Sequence, residues 1–181
     1  MTLSFETAYG FVHMNDILAA SERVEMIGLG TEDFTNDLGV ELVDPDLLLF
    51  PKFQTVIAAR ARGVQARGLI GSIANYKDLD GFYDVARRSY QYGFRGSSCI
   101  HPDQVAVLNR AFSPAPERIE RARAVVAAYE DGVKQGLGAV SLDGRMIDLP
   151  VCERARKALD AAEAIEEMER RKSAALAAAQ A

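Results

Sequence analysis

Strand-like and helix-like stretches alternate along the first 113 residues, and that alternation limits the possible folds more than any other feature of the chain. Leu3-Ser4-Phe5 and Val24-Glu25-Met26-Ile27 read as short buried strands, Val64 to Ile70 as a third that Gln65 and Arg67 interrupt, and Phe94 to Ile100 as a fourth. Between them, Tyr9 to Ala20 carries Phe11, Met14, Ile17 and Leu18 at helical spacing, and Ser21 breaks the run before the second strand. Asp44-Pro45 opens a helix that reaches Ala61 and stops at Gly63. Gly71-Ser72 reads as a turn, and Asp78-Leu79-Asp80 starts a helix through Tyr92, with Gly93 at the left-handed stop. Pro102 stands in the first turn of a last helix ending at Phe112. Strand then helix, four times over, calls for a parallel sheet with right-handed crossovers. A closed (β/α)8 barrel takes about 250 residues and eight such units, so this alternation amounts to half of one.

Beyond Ser113-Pro114-Ala115-Pro116 the pattern changes. A long helix is expected from Glu117 to Gln135, then a hairpin turning on Asp143-Gly144 between Ala139-Val140 and Met146-Ile147, then a helix from Pro150 rich in Ala, Glu, Arg and Lys. Ser173 to Ala181 has little to bury and reads as a solvated tail. Two domains are expected, 1–113 and 114–181.

With 49% hydrophobic residues the chain can bury a sizeable core, and its net charge of -5 is spread without a basic stripe. Nucleic acid is therefore not an expected partner. No apolar run approaches the roughly 20 residues of a membrane span, and the first residues lack signal-peptide character, so a cytoplasmic location is expected. Cys99 and Cys152 read as reduced thiols, and the spacing of Cys99-Ile100-His101 is not that of a zinc site.

The residues that carry chemistry lie at the expected ends of the first two strands. Glu6 closes the first strand, and Asp33 follows the second in Gly30-Thr31-Glu32-Asp33. Ends of neighbouring parallel strands lie roughly 5 Å apart. Two carboxylates held that close raise each other's pKa, so they share a proton or bind a cation. A hard ion such as Mg2+, which accepts one or two carboxylates and leaves positions for water and substrate, suits the pair. Read without that ion, Glu6 is a strand-end residue and Asp33 a helix cap. Asp148, before Leu149-Pro150, likewise reads as a cap on its own residues.

Six segments in order carry a resemblance that covers nearly the whole chain: Phe5 to Gly10, Gly30 to Asp33, Ala58 to Gly63, Gly93 to Gly96 with Ile100 to Val105, Phe112-Ser113-Pro114, and Gly138 to Asp148. They resemble the citrate lyase beta-subunit-like CoA-ester lyases of the HpcH/HpaI aldolase and citrate lyase family. The resemblance implies a (β/α)8 TIM-barrel type of α/β fold, represented here by the last four β/α units plus a C-terminal helix-hairpin-helix extension that reaches a neighbouring subunit. It also implies Glu6 and Asp33 as ligands of Mg2+ or Mn2+, backbone amides around Gly30, Thr31 and Glu32 holding the carboxylate of a 2-oxo acid, and Asp148 as an acid/base residue donated in trans. His101 is expected to be structural, a capped helix start at the barrel mouth.

The implied reaction is cleavage of a 3-hydroxyacyl-CoA of malyl, citramalyl or citryl type to an acyl-CoA and a 2-oxo acid, with CoA entering as part of the substrate. The implied assembly is a homo-oligomer, a trimer by analogy, or a pairing with a chain that supplies the first four units. Two other readings follow from the same residues: a non-catalytic half-barrel subunit, or a metal-dependent aldolase acting on free 2-oxo acids, which would not need the hairpin ending in Asp148. Two departures stand out. Phe50-Pro51-Lys52-Phe53 occupies the place of the family's Tyr-Ala-Arg-Ser, and an Asp usual after the third strand of this chain is replaced near Gly68.

Overall fold

The computed structural model describes residues 1–41, 45–71 and 76–179. The expected helix start at Asp44, the Ser72 half of the Gly71-Ser72 turn and the last two residues of the tail lie outside them. The chain divides into two compact units, Met1–Phe112 and Ser113–Ala181.

In the first unit β1 (Thr2–Phe5) pairs in parallel with β2 (Met26–Leu29), and β2 with β3 (Gln65–Ala66), in the order β1-β2-β3. The second strand begins two residues later than its apolar run, because Val24 is buried beside the sheet and does not pair within it. The third is only two residues long, and the expected fourth strand is not formed. Phe94 to Gly96 still runs beside β3: the Arg95 N–H donates to the Ala66 carbonyl at 2.8 Å, and the Gly68 N–H donates to the Gly96 carbonyl at 2.8 Å. With Gly68 at φ +144 the third strand leaves the extended conformation after Arg67, so the ladder that would have defined a fourth strand is cut short.

The expected helix from Tyr9 to Ala20 is two helices, α1 (Ala8–Val12) and α2 (Met14–Ala19), which join at His13 with φ -98 and ψ 13. Thr7 caps α1 by accepting from the Gly10 N–H at 3.1 Å. After β2 comes α3 (Thr31–Leu38), then a 3-10 turn at Pro45–Leu48 leading into α4 (Leu49–Ala61). Next are α5 (Leu79–Tyr92), which stops at Gly93 with φ +111 as its sequence requires, and α6 (Asp103–Phe112). Phe5, Met14, Leu18, Ile27, Val56 and Phe94 form the core between the sheet and its helices. Leu69, Phe82, Ala86, Val107, Leu108 and Ala111 form a second core, where α5 meets α6.

The second unit comprises α7 (Pro116–Lys134), the hairpin β4 (Val140–Leu142) and β5 (Arg145–Ile147), and α8 (Leu149–Ala179). Asp143 and Gly144 both adopt positive φ, 50 and 72, as a tight two-residue hairpin turn demands. Alanines line the packing between the two long helices: Ala122, Ala158 and Ala162 are buried along with Val125 and Cys152. The end of α8 is helical and every residue from Met168 to Ala179 is exposed. No helix among the described residues is long and apolar enough to cross a membrane.

The start of α5 rests on one local bond, from the Gly81 N–H to the Asp78 carboxylate at 2.9 Å. Replacing such a cap with Ala costs about 1 kcal/mol. Asp78→Ala is therefore expected to lower the free energy of unfolding by that amount, read in urea as a lower midpoint at unchanged slope, and Asp78→Asn to recover most of it.

Candidate functional site

The site is built by strand register. Phe5 pairs with Leu29, so the next residues along, Glu6 and Gly30, leave the sheet side by side, and the Gly30 N–H donates to the Phe5 carbonyl at 2.9 Å. Gly30 then becomes the N-cap of α3 with no side chain to offer. That absence is what admits Glu6: a Cβ on Gly30 would overlap the Glu6 Cγ and lie 2.8 Å from its Oε1. The Glu6 side chain thus lies over the turn that carries Thr31, Glu32 and Asp33.

Glu32 and Asp33 stand in the first turn of α3, where the helix dipole favours negative charge. Both are exposed, as is Glu6. Asp37, further along α3, accepts from the Ala8 N–H at 2.7 Å and so ties α3 to the start of α1, one residue past Thr7. Among the described residues neither Glu6 nor Asp33 has a hydrogen-bond or ion-pair partner within the protein. No group of three or more His, Cys, Asp and Glu there could hold a metal. Glu6, just past β1, and Asp33, in the first turn of α3, are thus two exposed carboxylates without a protein partner among the described residues, and an all-oxygen pair of this kind is of the type a hard cation takes when it keeps several waters.

The amides are apportioned differently from the sequence expectation. The Gly30 N–H is used within the sheet, so the open donors of this helix start are those of Thr31, Glu32 and Asp33, which precede the first bond of the helix, from the Phe34 N–H to the Gly30 carbonyl. Gly30 contributes space, not a donor.

Asp148 belongs to the second unit. Its carboxylate accepts from the Val151 N–H at 3.2 Å and its carbonyl from the Cys152 N–H at 3.0 Å, so it caps α8. The hairpin before it is fastened to α7 by an ion pair between Arg121 and Asp143. His101 makes a local turn: its Nδ1 accepts from the Asp103 N–H at 3.3 Å, its ring stacks on Tyr76 at 4.9 Å, and Gln104 Oε1 accepts from the N–H groups of Ile100 and His101.

One charged residue is buried where its type would not suggest it. Lys52, in α4, is only 3% exposed and lies on the buried stripe that includes Thr55, Val56 and Ala59. Burial pulls its pKa from the ordinary 10.5 down to about 8, and the charge of Glu32 partly opposes that shift. A lysine at a core position of a helical stripe was the available signal, and only its place in a departing motif had drawn notice.

A family model for the HpcH/HpaI aldolase/citrate lyase family matches residues 1–102, which takes in both strand ends and the whole α3 turn. The chain belongs to the HpcH/HpaI aldolase/citrate lyase family. It is 37% identical to the citrate lyase subunit beta of Haemophilus influenzae over 163 residues, which cover 90% of this chain and 55% of that protein. It is 32% identical to the mitochondrial citramalyl-CoA lyase of Homo sapiens over 171 residues, covering 90% of this chain and 50% of that one. The crystal structure of protein CitE from Mycobacterium tuberculosis in complex with magnesium, acetoacetate and coenzyme A superposes with a TM-score of 0.72 and 28% identity, over 90% of this chain and 60% of that chain. The chain thus spans about half the length of the curated relatives it matches, and the similarity runs through both units.

The lowered pKa of Lys52 sets a direction for stability against pH. Between about pH 8 and 10.5 the unfolded chain binds the proton that the folded chain has lost, so unfolding becomes harder as pH rises through that window. Lys52→Met is expected to remove this rise when urea midpoints are compared at about pH 7 and about pH 10. Parallel wild-type and variant curves would rule out a buried, destabilised ammonium.

Proposed function

We propose that this chain carries the metal and oxo-acid half of a CoA-ester lyase, which cleaves a 3-hydroxyacyl-CoA to an acyl-CoA and a 2-oxo acid. The observation that carries the reading is the Glu6 side chain laid over Gly30, beside a first helical turn that holds Asp33 and is capped by no side chain. Its relatives named citrate lyase subunit beta and citramalyl-CoA lyase support the reaction class, and the CitE complex supports magnesium and CoA as the accompanying groups.

In this reading Glu6 and Asp33 would hold Mg2+, which when bound stabilises negative charge on the oxygen of the forming carbonyl as a Lewis acid. The free amides of Thr31, Glu32 and Asp33 point out of the helix start and would donate to the carboxylate of the oxo acid. A general base takes the 3-hydroxyl proton, the O–H pair becomes the new carbonyl bond at C3, and the pair of the broken C2–C3 bond passes to the thioester as an enolate. A carboxylic acid must then return a proton to that enolate carbon. Asp148 is assigned this step, donated from a neighbouring subunit, with the oxygen not used in capping α8 free to carry the proton.

The partial barrel belongs to the same proposal. Three parallel strands in chain order, with Phe94 to Gly96 running beside the third, suit consecutive units of a TIM-barrel wall, with 114–181 as an extension that would reach another subunit. An open parallel sheet leaves backbone donors and acceptors along its edges, so association with further copies, or with a chain bearing the remaining units, goes with catalysis.

Release of acyl-CoA from malyl-, citramalyl- and citryl-CoA is expected with Mg2+ and not with EDTA. Glu6→Gln and Asp33→Asn should each reduce it by at least roughly a hundredfold, on the scale of losing one group that stabilises transition-state charge. Gly30→Ala should weaken Mg2+ binding with little loss of stability, because φ -78 is open to Ala and only the Glu6 side chain must move. Metal binding without cleavage of any ester would favour the half-barrel subunit reading.

A further inference from the structure

Helix α4 reverses the polarity of an ordinary surface helix. Its inner stripe includes Lys52 and Thr55, while Leu47, just before it, and Phe50, Phe53 and Ile57 face outward at 57, 73, 48 and 48% exposure. These four recur at the three- and four-residue spacing that keeps side chains on one face, so the outward face is apolar over about three turns. An exposed apolar face of this extent marks a contact with another protein.

Both flanks of α4 are already taken within the first unit. The Arg62 guanidinium donates to the Asn15 carbonyl of α2 at 2.9 Å, and the Phe53 ring meets the Tyr92 ring of α5 edge-on with centroids 6.1 Å apart. Further strands would join the sheet at its edges, beside β1 or beside Phe94 to Gly96, and not over the outer face of α4. A chain supplying more barrel units therefore leaves this face bare.

The charges at the two ends of the stripe define what fits it. Asp46 stands before the first turn, 3.6 Å from Arg88 of α5. Arg60 stands in the last turn, exposed and with no side-chain partner among the described residues. With opposite charges at its ends and apolar residues spaced about Phe53, the stripe complements a copy of itself laid antiparallel. In that arrangement Phe50 meets Ile57 of the second copy, the two Phe53 rings meet at the middle, and Asp46 meets Arg60 of the second copy at both ends.

We propose that the outer face of α4 is a two-fold contact between copies of this chain, an antiparallel helix pair centred on Phe53 and closed by an Asp46–Arg60 ion pair at each end. A seam of about three turns is at the small end of specific interfaces, so a dimer that forms reversibly at roughly micromolar concentration is expected. The contact uses none of the residues of the Glu6 and Asp33 turn and does not rest on the function proposed above.

The test is sedimentation velocity of the full chain over a dilution series, for wild type, Phe50→Glu, Asp46→Arg, Arg60→Glu and the double variant Asp46→Arg with Arg60→Glu. All three positions are exposed, so each variant is expected to keep the wild-type far-UV circular dichroism. Phe50→Glu should raise the dimer dissociation constant by at least roughly a hundredfold, because the change enters the interface twice. Asp46→Arg and Arg60→Glu should each raise it by roughly tenfold, and the double variant should return to within about threefold of wild type. Asp46 and Arg60 lie roughly 20 Å apart along one helix, so they restore each other only across two copies. A wild type that stays monomeric throughout the series, or one whose association Phe50→Glu leaves unchanged, would overturn the proposal. A double variant that associates no better than its two parents would overturn it as well, since the antiparallel pairing requires the rescue.

Discussion

The hydrogen bond from the Gly30 N–H to the Phe5 carbonyl is the constraint on which the site depends. It is the last rung of the β1–β2 ladder, and it fixes Glu6 opposite Gly30 as both strands end. The period of a strand is two, so a slip of one residue would turn Phe5 and Ile27 out of the core. Phe5 is 4% exposed and Ile27 fully buried, so the core that holds the register also aims the carboxylate. Stability and site geometry are here one specification, written mostly in apolar residues.

What that register assembles is electrostatically economical even without a ligand. Carboxylates in the first turn of a helix gain typically 0.3–1 kcal/mol from the dipole, and two exposed like charges about 4 Å apart in water cost about 1 kcal/mol. These are of the same size. Glu6, Glu32 and Asp33 are all exposed, so water screens whatever repulsion acts between them. The charge taken out of water is that of Lys52 in α4, and its pKa moves accordingly.

The parts of the fold legible in the sequence are those fixed by local chemistry. Gly93 had to stop α5 because only a left-handed residue ends that helix cleanly, Asp143-Gly144 had to turn the hairpin, and Glu6 with Gly30 to Asp33 had to sit where two strands end. The illegible parts depend on partners distant in sequence. Phe94 to Ile100 has the apolar content of a strand, but whether it pairs along its length is decided by Gly68, which bends β3 away after two residues. The break at His13 is hidden by an apolar stripe that continues across it through Met14 to Leu18, because burial of that face survives a change of helix axis. Lys52 was hidden by its type: a lysine is read as solvated, and only the packing of α4 shows this one on the inner stripe.

Asp148 reads as a helix cap on its own residues and as an acid/base residue only by the family resemblance, and the cap geometry leaves room for the proposed role. One carboxylate oxygen accepts from the Val151 N–H, which fixes the side chain at the start of α8, while the hairpin behind it is tied to α7 through Arg121 and Asp143. A group that must deliver a proton to one carbon gains from such anchoring, since reacting groups held on rigid elements lose less to misplacement than groups on loops. Capping consumes one oxygen and leaves the other for chemistry. The cap thus supplies the orientation that the proposed proton transfer would need, and the same economy governs Gly30, which gives up its amide to the sheet and admits the Glu6 side chain by having none of its own.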